Sequence, residues 1–232
     1  MRTLILAAGI VLLVTGCASV QDMTPDTSGK NPSPYPIKEF VARILGSTED
    51  VWEDLFKEMG SSPYPQPTVV IFSGKTSSAC GAVSGGPLYC PADRKVYFDT
   101  SSLSELSRRL GAPPSDFALA YLIVREVSRH VRTVLGTMTT VGEKMRQTDA
   151  RGRNALAERL ELQADCYTGI WAHFVHKRCV LEPKDLNEGV PFTRANGEAS
   201  VLGTAEQRTW WFKQGLAKGN LRQCDTFVIA KP

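Results

Sequence analysis

Between residues 38 and 60 the string KEFVARILGSTEDVWEDLFKEMG places Phe40, Val41, Ile44, Val51, Trp52 and Leu55 at helical spacing, which predicts an amphipathic opening helix. Pro63, Pro65 and Pro67 end it. The continuous β-branched run 68-TVVIF-72 predicts a buried strand, and 95-KVYFD-99 a second one. Between them lies a Gly-rich loop, 81-GAVSGGPLY-89, bracketed by Cys80 and Cys90. Ser101 or Ser102 is placed to cap a short helix that runs through Leu110 and stops at Gly111. Pro113-Pro114-Ser115 introduces a longer helix, in which Phe117, Tyr121, Val124, Ser128, Val131 and Leu135 fall on one stripe. Arg125 and Arg129 share a neighbouring face one turn apart, Glu126 lies a step further round, and His130 further still. A helix from about Asn154 through 158-ERLELQADCYTGIWAHFVH-176, a loop-like stretch over 177–203 and a last helix over 204-TAEQRTWWFKQGLAKG-219 complete the pattern. Few strands ahead of long helices predict an α+β domain. Trp210, Trp211 and Phe212 read as core.

The first residues follow a different pattern. Met1-Arg2 forms a short positive region, and 4-LILAAGIVLLV-14 is an apolar run too short to span a bilayer comfortably. It ends in 13-LVTGC-17, which resembles a bacterial lipobox, with small residues before a Cys that is lipidated after cleavage. The expected organisation is a signal peptide over 1–16, a lipidated Cys17 with a polar, Pro- and Ser-rich tether over 17–37, and a folded domain over 38–230. The expected location is outside the cytoplasmic membrane, lipid-anchored to the cell membrane or envelope.

Export changes how the cysteines read. Five remain after Cys17, and an oxidising compartment makes disulfides the first expectation. Cys80 and Cys90 bracket one loop and are expected to staple a hairpin. Two of Cys166, Cys179 and Cys224 are expected to pair, and the sequence leaves open which. At 232 residues, 42% hydrophobic and 22% charged, the chain suits one globular domain with appendages. Its net charge of +3 is spread along the chain, so no nucleic-acid partner is expected.

The candidate chemistry centres on Arg125-Glu126-Val127-Ser128-Arg129. It stands in the frame of H-E-x-x-H, where two His one turn apart bind zinc and Glu acts as general base. Several separated strings agree with one family. CG…YCPADRKVYFD, DFALAYLIVREVSRH, RLELQADCYTGIWAH, LEPKDL, GTAEQRTWWFKQG and CDTF occur in the order found in the neutral zinc metallopeptidases, bacterial zincin-like proteins that carry HEVGHH, ELQAD and HGTSAQR. The chain resembles that family over roughly residues 78 to 227. The resemblance implies a zincin-like domain with a small N-terminal sheet and long core helices. It places the zinc-binding His positions at Arg125 and Arg129, the catalytic Glu at Glu126 and the third ligand at Glu161. Asp165 becomes a supporting carboxylate one turn on, Ser128 stands at a family Gly, and Leu202 stands at the His of HGTSAQR.

Guanidinium offers donors only and stays protonated, so Arg125 and Arg129 bind no cation. Glu161 alone makes no site, and without metal Glu126 has no acidified water to deprotonate. The expected function is therefore that of an inactive, zinc-free member of the family without cofactor. Glu126 would be a vestigial base and Arg125, Arg129 and Glu161 vestigial metal positions. A peptide or envelope protein in the former cleft is the expected partner, with the membrane reached through the lipid on Cys17. Glu126 and His130 are also four apart, but His130 lies about 100° round the helix from Arg129 and should not face Glu161. The resemblance makes it a residue that supports the ligands or lies at the surface. Two rival readings remain: an active peptidase with an atypical ligand set, and a metal-binding protein that uses His173, His176 and Cys179 of 173-HFVHKRC-179. No G-x-S-x-G is present, and 84-SGGPLY-89 lacks the Lys of a phosphate loop.

Overall fold

Helix α1 (Ile37–Glu58) buries Phe40, Val41, Val51, Trp52 and Leu55 along one stripe. This first element belongs to a computed structural model that describes residues 36–110, 115–177 and 202–229. Cys17, Cys179 and the LEPKDL string lie outside them. Five short strands follow: β1 (Thr68–Phe72), β2 (Lys75–Ser78), β3 (Gly81–Ser84), β4 (Pro87–Cys90) and β5 (Lys95–Asp99). The rest is helical: α2 (Ser102–Leu110), α3 (Asp116–Val134), α4 (Thr137–Arg146), α5 (Ala150–Lys177) and α6 (Ala205–Lys218), then a 3-10 turn over Leu221–Cys224. The fold is α+β and mostly helical, as expected for a zincin-like domain. Among the described residues no helix is long and apolar enough to cross a membrane.

The main sheet has the order β1-β5-β4, with β1 parallel to β5 and β4 antiparallel to it. Thr68 faces Lys95 and Phe72 faces Asp99, while Pro87 faces Phe98 and Cys90 faces Lys95. The order puts β5 in the middle, so Val96, Tyr97, Phe98 and Asp99 are buried. It puts β1 at an edge, so the TVVIF strand is only half-buried, not buried as its composition predicts. The Gly-rich segment expected as a loop is instead two strands: β3 pairs with β2 from Lys75–Ser84 to Ser78–Gly81, and β4 joins the main sheet. Their side chains lack a hydrophobic alternation, so backbone pairing alone marks them as strands. The Cys80–Cys90 disulfide ties the β2–β3 turn to the end of β4.

Ser115 caps α3, its hydroxyl accepting from the Ala118 amide at 3.2 Å. This helix is buried almost all round, since the sheet, α1, α4 and α5 each take part of its surface. The expected stripe holds from Phe117 to Val131, but Leu135 lies past the helix end and is exposed. Helix α4 was not anticipated, and α5 begins at Ala150 rather than about Asn154. Both departures lie in polar sequence, where periodicity carries little signal. A capping box formed by Thr204 and Gln207 starts α6, and Gly219 in the left-handed conformation ends it. Trp211 and Phe212 are core residues, whereas Trp210 is half-buried.

Helices α5 and α6 meet backbone to backbone. A Cβ on Gly215 would sit 1.9 Å from the Cys166 carbonyl oxygen, and one on Gly169 2.1 Å from that of Phe212. The Cys166–Cys224 disulfide fastens α5 to the 3-10 turn that follows α6, which leaves Cys179 outside this pairing. Gly215→Ala should therefore destabilise the chain by about 2 kcal/mol or more, overpacking outweighing the roughly 1 kcal/mol gained in helix propensity. Urea unfolding measures it, and a neutral or stabilising result would mean that the helices part freely.

Candidate functional site

Helix periodicity brings Arg125, Arg129 and Arg132 to one face of α3 at i, i+4 and i+7, opposite Glu161 and Asp165 one turn apart on α5. Arg125 reaches both carboxylates, donating from Nε to Asp165 Oδ1 and from Nη2 to Glu161 Oε2, each at 2.8 Å. Arg129 donates from Nη2 to the same Glu161 Oε2, and from Nη1 to both oxygens of Glu126 at 2.8 and 2.9 Å. Arg132 donates to Glu161 Oε1 at 3.2 Å and to the Leu160 carbonyl. From α6, Arg208 grips Asp165 through Nε and Nη2 at 2.9 and 3.3 Å. The Tyr121 hydroxyl completes the set by donating to Asp165 Oδ1.

Glu126 is held from two sides. Besides Arg129, it accepts at 2.7 Å from the Tyr89 amide on β4, the strand bordering the cleft. Asp165 is fully buried, Arg208 is 2% exposed and Arg125 8%, so the Asp165 end of the cluster is nearly dry, whereas Arg129 and Glu161 are 18% and 14% exposed. Bare charges there would be costly, and each guanidinium–carboxylate contact offsets part of that desolvation.

Burial works against ionisation of Glu161, but Arg129, Arg125 and Arg132 outweigh it and hold the carboxyl at about 2. Burial opposes the Asp165 charge in the same way, and Arg125 and Arg208 overcome it, leaving the carboxyl below its ordinary range. Both folded-state values lie below the unfolded ones, so this stabilisation is present above about pH 4.5 and is lost as pH falls toward 2. The Glu161 share is roughly 3 kcal/mol. Urea unfolding between pH 6 and pH 3 should show stability declining below about pH 4.5, and a flat profile would count against a charged cluster.

His130 does not join these residues. Its Nε2 lies 2.5 Å from the Pro65 carbonyl, an acceptor only, so Nε2 carries the proton. Burial pushes the ring below its ordinary pKa and keeps it neutral, so Nδ1 accepts from the Tyr89 hydroxyl at 3.2 Å. It is therefore a buried core residue with two partners, not a surface one. Ser128 turns toward α5, 3.2 Å from Thr168 Oγ1. Leu202 borders a 600 Å³ cleft whose other walls include Gly86, Pro87, Leu122, Arg125 and Glu126. On the far side of α5, His173 gives its Nδ1 to the Leu216 carbonyl at 2.7 Å and packs against Gly219. No group of three or more His, Cys, Asp or Glu able to hold a metal occurs among the described residues.

Sequence reasoning missed Arg132 and Arg208 and took Tyr121 for plain core. A signal existed for each arginine. Arg132 extends the spacing of Arg125 and Arg129 by three, and Arg208 closes the GTAEQR string already matched to the family.

A family model described as "Putative neutral zinc metallopeptidase" matches residues 8–227. YpfJ, an uncharacterized protein of Escherichia coli (strain K12), is 36% identical over 232 residues, covering 92% of this chain and 80% of that protein. Mb2605, an uncharacterized protein of Mycobacterium bovis, is 32% identical over 216 residues, covering 82% of this chain and 70% of that protein. No solved structure matches.

Proposed function

The chain belongs to the neutral zinc metallopeptidase family, and we propose that it is a zinc-free member without peptidase activity that acts as a binding or scaffolding module at the cell envelope. One observation carries this reading: the guanidiniums of Arg125 and Arg129 converge on Glu161 Oε2, an oxygen of the carboxylate that the resemblance assigns as the third ligand. The residues present do not fit zinc. Two of the three positions that the resemblance assigns to ligands offer donors only, and the third carboxylate is already neutralised. Two arginines also bring the same charge as one Zn²⁺ held by two neutral imidazoles. Both oxygens of Glu126 are held, Oε1 by Arg129 and Oε2 by Arg129 and the Tyr89 amide, so its carboxylate is turned to these partners rather than to a metal-bound water.

In this reading the 600 Å³ cleft takes a segment of a peptide or envelope protein, and a lipid on Cys17 holds the domain at the membrane. The 13-LVTGC-17 string supports the anchor. The test is metal content and peptidase activity of the full chain purified without a histidine tag. Less than a tenth of a zinc per chain and no hydrolysis are expected. Stoichiometric zinc would overturn the reading, and its loss in His176→Ala would move the site to His173, His176 and Cys179. The same preparation should leave the membrane fraction when Cys17 is changed to Ser.

A further inference from the structure

A second cavity, of 330 Å³, is lined by Arg129, Arg132 and Glu161 together with Pro91, Met138 and Leu202. Arg132 is its unusual member. The side chain is 7% exposed and has one carboxylate partner among the described residues, Glu161, which it shares with Arg125 and Arg129. Arg125 also has Asp165 and Arg129 also has Glu126, whereas Arg132 turns for its second bond to a neutral carbonyl, that of Leu160. Its Nε is buried without an acceptor, as is that of Arg129. A buried cation that divides one carboxylate with two others is short of about one negative charge.

We propose that this cavity is a binding site for a carboxylate carried on a short apolar chain, such as the free C-terminus of a peptide, with Arg129 and Arg132 as the recognising groups. The site rests on the binding-module reading above and gives it a ligand class. A planar guanidinium matches a carboxylate in a two-pronged contact, and a monoanion supplies the one charge that is lacking. Pro91, Met138 and Leu202 would enclose the aliphatic part next to it. The other charged groups nearby leave this balance standing. Glu161 is spent on three arginines, and Asp93 is tied to the Tyr97 hydroxyl and the amides of Ala79 and Lys95. His130 is neutral, and Arg94 adds to the positive field around Tyr89. Of the four clustered arginines only Arg132 is held below its ordinary value, first by burial and then by Arg129 and Arg125 against Glu161.

The experiment is calorimetric titration of the full chain with acetyl-Ala-Ala-Ala bearing a free C-terminus, with its C-terminal amide, and with butyrate. The free acid should bind at least about 10-fold tighter than the amide, the step expected of one charge-assisted contact. Butyrate binding comparable to the peptide acid would assign the site to small aliphatic acids, and weaker butyrate binding to peptide termini. In Met138→Glu a built-in carboxylate should occupy the site, abolish the preference for acid over amide and raise the unfolding temperature. Equal binding of acid and amide would overturn the proposal while leaving the binding-module reading in place. Absence of any binding, or an acid preference unchanged in Met138→Glu, would overturn it as well. Zinc content plays no part in these outcomes, so the two readings fail separately.

Discussion

Changing both Arg125 and Arg129 to His should give a chain that binds one zinc per molecule. The substitution removes the two donors from Glu161 Oε2 and leaves that oxygen facing two imidazoles from α3. Arg132 keeps Glu161 Oε1, so the carboxylate would stay anchored and oriented while its other oxygen becomes available. Without metal the double variant has lost two positive charges beside three carboxylates, and it should unfold more easily than the parent by about 3 kcal/mol or more. Zinc restores those two charges. At a free concentration of a hundred times its Kd, it should recover about 2.7 kcal/mol by linkage. The parent's unfolding temperature should not respond to zinc. Hydrolysis of peptides should stay weak or absent, because the Tyr89 amide still holds Glu126 and Leu202 offers no donor to the cleft. Metal analysis together with thermal unfolding, with and without zinc, checks this. Failure to bind would mean that α3 and α5 no longer hold the ligand spacing.

Loss of Asp165 should be the most damaging single change in the cluster. Its fully buried carboxylate accepts from Tyr121, Arg125 and Arg208, and so joins α3, α5 and α6 at one point. Asp165→Ala takes the fully buried carboxylate away from Arg125 and Arg208 and should cost about 3–5 kcal/mol. Asp165→Asn keeps the shape and removes only the charge, so it should recover little of that loss. Combining Asp165→Ala with Arg125→Met should cost less than the sum of the two, by about 0.5–3 kcal/mol, because the second change removes a cation that had shared the lost carboxylate. Urea unfolding of the four chains gives the cycle. A loss below about 1 kcal/mol for Asp165→Ala, or strict additivity, would mean that water reaches the cluster and replaces the carboxylate.

Helices with a clear apolar stripe were legible from the sequence: α1, the buried face of α3 and the capped start of α6 all follow periodicity and cap chemistry. So was the identity of the candidate site, because Arg125, Arg129, Glu161 and Asp165 fall into place once the helix frame and the family resemblance are set. Strands β2, β3 and β4 were not legible. Their identity lies in backbone pairing with partners up to 11 residues away, as in Pro87 with Phe98, and their side chains carry no alternation. The chemistry of donors and acceptors is local, so the sequence by itself determined that two guanidiniums stand where metal ligands are expected.

Which carboxylate each guanidinium meets was decided only by the tertiary structure. The distance between α3 and α5 lets Glu161 bridge three arginines, and the close approach of α6, permitted by Gly169 and Gly215, brings Arg208 onto Asp165. The β4 edge decided the fate of Glu126 by presenting the Tyr89 amide to it, and the Pro65 carbonyl drew His130 into a neutral role. These contacts join residues 29 to 65 positions apart. Charge and hydrogen-bonding capacity belong to single residues and can be read in order along the chain, whereas compensation of a buried charge depends on separations of a few ångströms between distant segments, and only packing sets those.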